Sequence, residues 1–382
     1  MNRNTRREFL SNSTRIFVAA GAAGVGIFGS VSSGPISPSF QEEWRNRQAE
    51  MSYRRLGRTN FMISRIVMGG NQIAPDNYDH VLEALDYGLN YLDTAPAYGR
   101  GRSEEGYARV IQARSRDRFF ITSKVSNWDL NRNRLLREIM ETLSESEQRR
   151  LKAEVEERIA LQGTDRPDYF VGYFSSQRRE LEDATLSNIL EERYGDRIDR
   201  PRNYKQVIIE SVEGSLKRLG TDYLDCLLCP HGANTPHELQ KFPEIFEAFE
   251  QLKKAGKVRH LGVSAHTDPA GILKAAADQP LYSMAMVAYN FVNHRHVDDA
   301  LRYAHERGLG IIAMKTAQPL FVGPDQDRDR RSTYLLNAVE SDGSTIQRAY
   351  LWNLQNPYLS AVISDMQNMK MVRDNLPLAK QV

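Results

Sequence analysis

Cysteine is scarce in this chain of 382 residues, which holds only Cys226 and Cys229. Two thiols exclude a disulfide framework as the basis of the fold. Their C-x-x-C spacing looks like a redox or metal motif, but it lies in the apolar run Tyr223-Leu-Asp-Cys-Leu-Leu-Cys229, which reads as a buried strand. Strand residues three apart face opposite sides, so the two sulfurs diverge and are structural. An excess of one charge is missing as well. The 51 Lys and Arg against 49 Asp and Glu leave a net +2, and no long basic run accompanies it, so no nucleic-acid partner is expected. No apolar run reaches the ~20 residues that a bilayer-crossing helix needs. Internal repeats of solenoid type are also absent.

The amino terminus differs from the rest. Thr5-Arg6-Arg7-Glu8-Phe9-Leu10 precedes a weakly apolar, Gly/Ala-rich stretch from Ile16 to Phe28, followed by Ser and Gly residues and then Pro35 and Pro38. A positive region, an apolar segment and a small-residue exit make the layout of an export signal. Arg6-Arg7-x-Phe9-Leu10 resembles the twin-arginine type. Residues 1–34 are therefore expected to be an export signal and 35–50 a linker, with export machinery as a partner and a periplasmic or otherwise extracytoplasmic location. Once the signal is removed, no stable membrane span is expected.

From Met51 onward, short β-rich runs alternate with helical patterns, as in βαβ units around a parallel sheet. Ser52–Leu56 and Phe61–Ser64 flank Gly57-Arg-Thr-Asn60 and read as a hairpin. Eight strands follow, at Ile66–Met68, Tyr91–Asp93, Phe119–Ser123, Cys226–Leu228, His260–Ser264, Met284–Ala288, Ile311–Met314 and Ser360–Ile363. Phe246, Phe249 and Leu252 share a helical face, and Gly220, Gly256 and Gly308 stand where helices should stop. The expected architecture is an α/β protein, a (β/α)₈ TIM barrel with an N-terminal β-hairpin, spanning 51–382.

About eighty residues separate Lys124 from Tyr204, far more than a crossover requires. Within this insertion, 126–203, Ser144-Glu-Ser-Glu147 has the capping-box form and the run from Glu147 to Leu161 reads as an exposed helix. Tyr169-Phe-Val-Gly-Tyr173-Phe174 is aromatic enough to pack on something. Leaving the third strand at its carboxyl end, the insertion should cover the barrel mouth as a lid or partner-binding cap.

Four polar residues project from the carboxyl ends of adjacent strands, where barrel enzymes keep their active sites. Asp93 ends the second strand, Tyr98 follows in its loop, Lys124 ends the third and His231 follows the fourth. A phenol has a pKa near 10. A nearby ammonium lowers that value, and a carboxylate stabilises the ammonium in turn. Asp93, Lys124 and Tyr98 thus suit a proton relay for carbonyl reduction, with His231 orienting the carbonyl oxygen.

Asp-Thr-Ala-x-x-Tyr98-Gly with Ser103-Glu104 after it, Thr122-x-Lys124, Ser215-Leu-Lys-Arg-Leu-Gly-Thr-Asp-Tyr-Leu-Asp225 and Gly256-Lys-Val-Arg-His-Leu-Gly-Val-Ser264 together resemble the aldo-keto reductases. The resemblance runs from about Ser52 to Leu376. It implies a barrel that reduces aldehydes, ketones or sugars with NADPH, or with NADH as the alternative, and a small carbonyl compound as substrate. It makes Tyr98 the general acid, with hydride supplied by the nicotinamide. It also implies that Ser264 holds the carboxamide, while Ala265 and Met286 stand where the family carries Asn and Gln. Met314 occupies the position of a stacking aromatic residue. Tyr289-Asn290 and Met314-Lys315, with His266, resemble one branch of the family. Ile363–Asn375 resembles the adenine-phosphate loop and helix, with Ser364, Gln367, Lys370, Arg373 and Asn375 as implied contacts. Gln367 replaces the usual basic residue, which leaves Lys370 or Arg373 for the 2′-phosphate.

Two other classes compete. An exported, catalytically impaired barrel acting as a binding or assembly protein is motivated by Ala265, Met286 and the insertion. A metal-dependent barrel using His231, His266, His294 and His296 lacks the convergent carboxylates that hard metals prefer, so no metal is expected.

Overall fold

The computed structural model describes residues 41–381; the expected export signal lies outside them. Eight parallel strands close into a barrel in chain order. They are β1 (Ile66–Met68), β2 (Tyr91–Asp93), β3 (Phe120–Lys124), β4 (Leu224–His231), β5 (Val258–Ala265), β6 (Tyr282–Ala288), β7 (Gly310–Met314) and β8 (Ala361–Ser364). Closure comes from β8 pairing back on β1, with Val362 opposite Ile66.

Each strand is apolar on both sides because both sides are covered. Val67, Tyr91, Phe120, Cys226, Leu228, Met284 and Ile312 fill the barrel interior. Their chain neighbours Ile66, Leu92, Ile121, Leu227 and Ile311 pack outward under the helices. The same alternation divides the cysteines: Cys226 lies in the interior cluster and Cys229 in the outer layer. Both are free, and burial pushes the Cys226 thiol up to about 12.

The hairpin forms as expected. Tyr53–Arg55 pairs antiparallel with Phe61–Ser64, and Leu56, Phe61 and Ile63 close the barrel floor by joining the interior cluster. Phe61 stacks on Phe120 with ring centres 4.2 Å apart. Residues read from sequence as linker do more than connect: Glu43–Trp44 adds a parallel third strand beside Phe61–Met62. Its Glu43 binds Arg259, which also donates to Asp225 at 2.8 Å. The fully buried Asp225 further accepts from Arg116 at 2.7 Å and from the Ile121 amide at 2.9 Å. This charge cluster lies at the amino-terminal end of the strands, the face that serves stability in such barrels.

Helix Val207–Leu219 ends at Gly220, whose φ of 64° is the left-handed cap expected there. Helix Pro243–Lys254 buries Phe249 and Leu252, with Phe246 packed beside them. The insertion folds as three helices, Trp128–Glu141, Glu145–Gln162 and Gln177–Tyr194, around its own core of Leu136, Leu151, Ile159, Leu181 and Leu190. Ser144 and Glu147 form the anticipated capping box. Among the described residues, no helix is long and apolar enough to cross a membrane.

Candidate active site

Barrel geometry brings Asp93, Tyr98, Lys124 and His231 together at the carboxyl ends of β2, β3 and β4. The Lys124 ammonium, wholly buried, donates to both Asp93 carboxylate oxygens at 2.6 Å and to the Thr94 carbonyl at 2.9 Å. It also lies 3.1 Å from the Tyr98 hydroxyl. All its donors are thereby directed, which fixes the ammonium against the phenol. The loop that carries Tyr98 turns through Gly99 at a φ of 57°. It is held by Ser103, whose hydroxyl donates to the Gly70 carbonyl and contacts Thr94, each at 2.7 Å. Glu104 is buried under it, accepting from Ser123 at 2.7 Å and Arg218 at 2.6 Å. The Ser-Glu pair of the motif is therefore scaffold for the tyrosine loop.

His231 ends β4 beyond a register shift against β5. Its Nδ1 is 2.8 Å from the Ser126 hydroxyl, which leaves Nε2 for a substrate oxygen. The His231 ring meets the Tyr98 ring edge-on, 5.9 Å between centres.

Asp93, Tyr98 and His231 open into a cavity of about 560 Å³ at the barrel mouth, walled on its apolar side by Phe174, Met286, Met314 and Ile363. Burial raises the Tyr98 pKa, with Lys124 working against that rise, so the phenol keeps its proton at neutral pH. Burial also raises Asp93. For Lys124 burial opposes the charge, but Asp93 and Tyr98 outweigh it and the net shift is upward, so the ammonium stays charged. His231 is driven well below its usual range by burial, then by Lys124 and His266, and is a neutral ring.

The Aldo/keto reductase family model matches residues 65–172 and 179–381. The chain belongs to this family. Among its relatives, the uncharacterized oxidoreductase YqkF of Bacillus subtilis is 23% identical over 354 residues, covering 86% of this chain and 91% of the relative. An aldo-keto reductase from Bacillus halodurans, solved in its holo form, superposes with a TM-score of 0.56 at 20% identity, over 86% of this chain and 91% of that one. One from Klebsiella pneumoniae, solved with NADPH, gives 0.53 at 20% identity, over 86% and 90%. At such identities the structural likeness carries the fold.

Of the residues this aldo/keto reductase offered from sequence as nucleotide contacts, Met314, Lys315 and Gln367 line the cavity. Lys315 is held at a φ of 60°, and among the described residues it forms no salt bridge. Ser264 is buried on β5, in register with His231 of β4 and Met286 of β6. Asn290 is engaged elsewhere: its amide donates to the Tyr173 hydroxyl at 2.8 Å, and its oxygen accepts from the Val292 amide at 3.0 Å. Lys370 pairs with Asp374 and Arg373 with Glu83, both on the surface. Asn375 donates to Ser364 at 3.1 Å.

Asp365 and Phe174 are among the cavity residues that sequence reasoning does not single out. Asp365, just past β8, faces the cavity, and the surrounding protein pushes its carboxyl up to about 6. It lies within Ile363–Asn375, the stretch that resembles the adenine-phosphate loop, where an acidic residue is itself a signal. Phe174 arrives from the insertion. Among the described residues, no group of three or more His, Cys, Asp and Glu is placed to hold a metal ion. His294 pairs with Asp298 on its own helix.

Proposed function

We propose that the protein is an NAD(P)H-dependent carbonyl reductase in which Tyr98 is the general acid. The observation that carries this reading is the Lys124 ammonium, held by Asp93 and 3.1 Å from the Tyr98 hydroxyl, at the edge of an open cavity. A protonated phenol beside a fixed ammonium can release its proton as negative charge develops on a carbonyl oxygen, because the phenolate left behind faces Lys124. The His231 Nε2 hydrogen bonds the same oxygen and directs the carbonyl carbon into the cavity. Reduced nicotinamide, when bound, supplies the hydride that the carbonyl carbon accepts.

The donor set of the cavity fits such a cofactor. Met286 and Met314 offer an apolar, polarisable bed for a flat ring. Lys315 offers a positive charge for phosphate. NADP is the favoured nucleotide, supported by the family and by the NADPH held in the Klebsiella pneumoniae relative. For Lys370 or Arg373 to grip a 2′-phosphate, Lys370 gives up the exposed Asp374 and Arg373 the part-buried Glu83, a small cost near the surface. Titrating the protein with NADPH while following nicotinamide fluorescence, then screening aldehydes, ketones and sugars with both nucleotides, tests the reading. Absence of binding by either nucleotide overturns it.

We further propose export through the twin-arginine route, on the strength of Arg6-Arg7-x-Phe9-Leu10 and the Gly/Ala-rich stretch behind it. That route carries folded proteins, which suits an enzyme that binds its cofactor before export. Replacing both arginines by lysine should retain the protein inside the cell; unchanged export contradicts it.

A further inference from the structure

Between the second and third insertion helices the chain crosses the barrel mouth as a short strap, Tyr169–Phe174, tied down at two points. The Tyr169 hydroxyl donates to the Asp268 carboxylate and accepts from the Ala270 amide at 3.0 Å, which fastens it to the start of the helix after β5. The Tyr173 hydroxyl accepts from Asn290 at 2.8 Å and from Asn293 at 3.3 Å, beyond β6. Its amide donates to Gln177 at 2.7 Å. Tyr169 and Tyr173 are both buried, 2% and 3% exposed. Anchors of this kind make a fixed roof and not a swinging lid, because lifting it would strand buried hydroxyl and amide groups.

The next residue, Phe174, is different. It is only half-buried, and its ring lines the same cavity as Tyr98 and His231. It meets the His266 ring at 87°, with centres 5.4 Å apart, and the Lys315 ammonium lies 5.9 Å from its own centre. Phe174 sits on the insertion after β3, in the short stretch 173–178 that falls between the two segments matching the family model. An aromatic ring held in place yet left uncovered is ready to bury area against a ligand at little entropic cost. Ile363 lines the same cavity, and the 57% exposed Phe321 extends its apolar side at the rim.

We infer that Phe174 is the specificity-determining wall of this active site, selecting carbonyl substrates that carry a flat aromatic group. The inference rests on the reductase reading, so its test has one arm that needs no turnover. In the first arm, kcat/KM is measured for benzaldehyde and for propanal with the full protein, Phe174→Ala and Phe174→Tyr. Loss of the ring should lower the benzaldehyde value about tenfold through KM, the scale of one lost ring contact, and spare propanal. Tyrosine should restore it. In the second arm, benzyl alcohol binding is followed by NMR titration. Its Kd should rise about tenfold in Phe174→Ala and return in Phe174→Tyr. Equal losses for both aldehydes, or unchanged benzyl alcohol binding, overturn the inference. If neither aldehyde is reduced by the unaltered protein, the reductase reading is what fails, and the binding arm alone decides the role of Phe174. Should Phe174→Ala fail to fold, Phe174→Leu keeps the bulk and removes the ring.

Discussion

The Lys124 ammonium stands 3.1 Å from the Tyr98 hydroxyl while its remaining donors are taken by Asp93 and the Thr94 carbonyl. The lysine therefore cannot swing away, and any proton leaving Tyr98 leaves a phenolate facing a fixed positive charge.

Removing that charge has two separable effects. Lys124→Met should lower turnover by about 10² or more, the usual scale for disabling a proton-transfer group. It also leaves the Asp93 carboxylate buried without its partner, costing about 3–5 kcal/mol of stability. Adding Asp93→Asn should recover much of that stability and none of the turnover. Denaturant unfolding and initial rates, measured on the single and double variants, check both.

At the opposite end of the barrel, Asp225 gathers Arg116, Arg259 and the Ile121 amide. Asp225→Asn leaves Arg116 without a carboxylate and Arg259 with Glu43 alone, and about 3 kcal/mol of stability should be lost. Catalysis below the unfolding temperature should be unchanged, because the cluster is remote from Tyr98. Parallel thermal melts and assays separate the two.

The histidines set an acid limit. Burial, and after it neighbouring cations, lower His260 and His237 to about 4 and His266 to about 3, against an ordinary value near 6.5 in the unfolded chain. Below pH ~6.5 the unfolded state takes up protons that the folded state refuses. The stability these groups contribute is thus complete above pH ~6.5 and is lost as pH falls toward their folded values. Unfolding midpoints should drop from about pH 6.5 to about pH 5, and His260→Gln should flatten that slope. An unchanged slope in the variant contradicts the assignment for His260.

What could be read in advance was what is local. The eight strands and the ends that carry Asp93, Lys124 and His231 follow from short β-rich runs set between helical patterns and from the barrel rule for carboxyl ends. Gly220 and the Ser144 capping box are equally local. From sequence β4 reads as Cys226–Leu228, but it runs from Leu224 to His231, because pairing with β5 on one side extends it past the apolar core. The Glu43–Trp44 strand is too short to show any period, and only its partner at Phe61–Met62 defines it. Asn290 reads as a ligand-facing amide at the end of β6, yet Tyr173, 117 residues away, occupies it. Phe174 reaches the cavity only through the way the insertion folds back, which no local pattern encodes.

The account stands or falls on the Tyr98 proton. Replacing Tyr98 with phenylalanine keeps the ring and removes only the hydroxyl, so the measurement is the rate of carbonyl reduction in Tyr98→Phe alongside its NADPH affinity. Reduction falling by about 10² or more, with NADPH binding retained, is the predicted result. Turnover equal to that of the unaltered protein would contradict it.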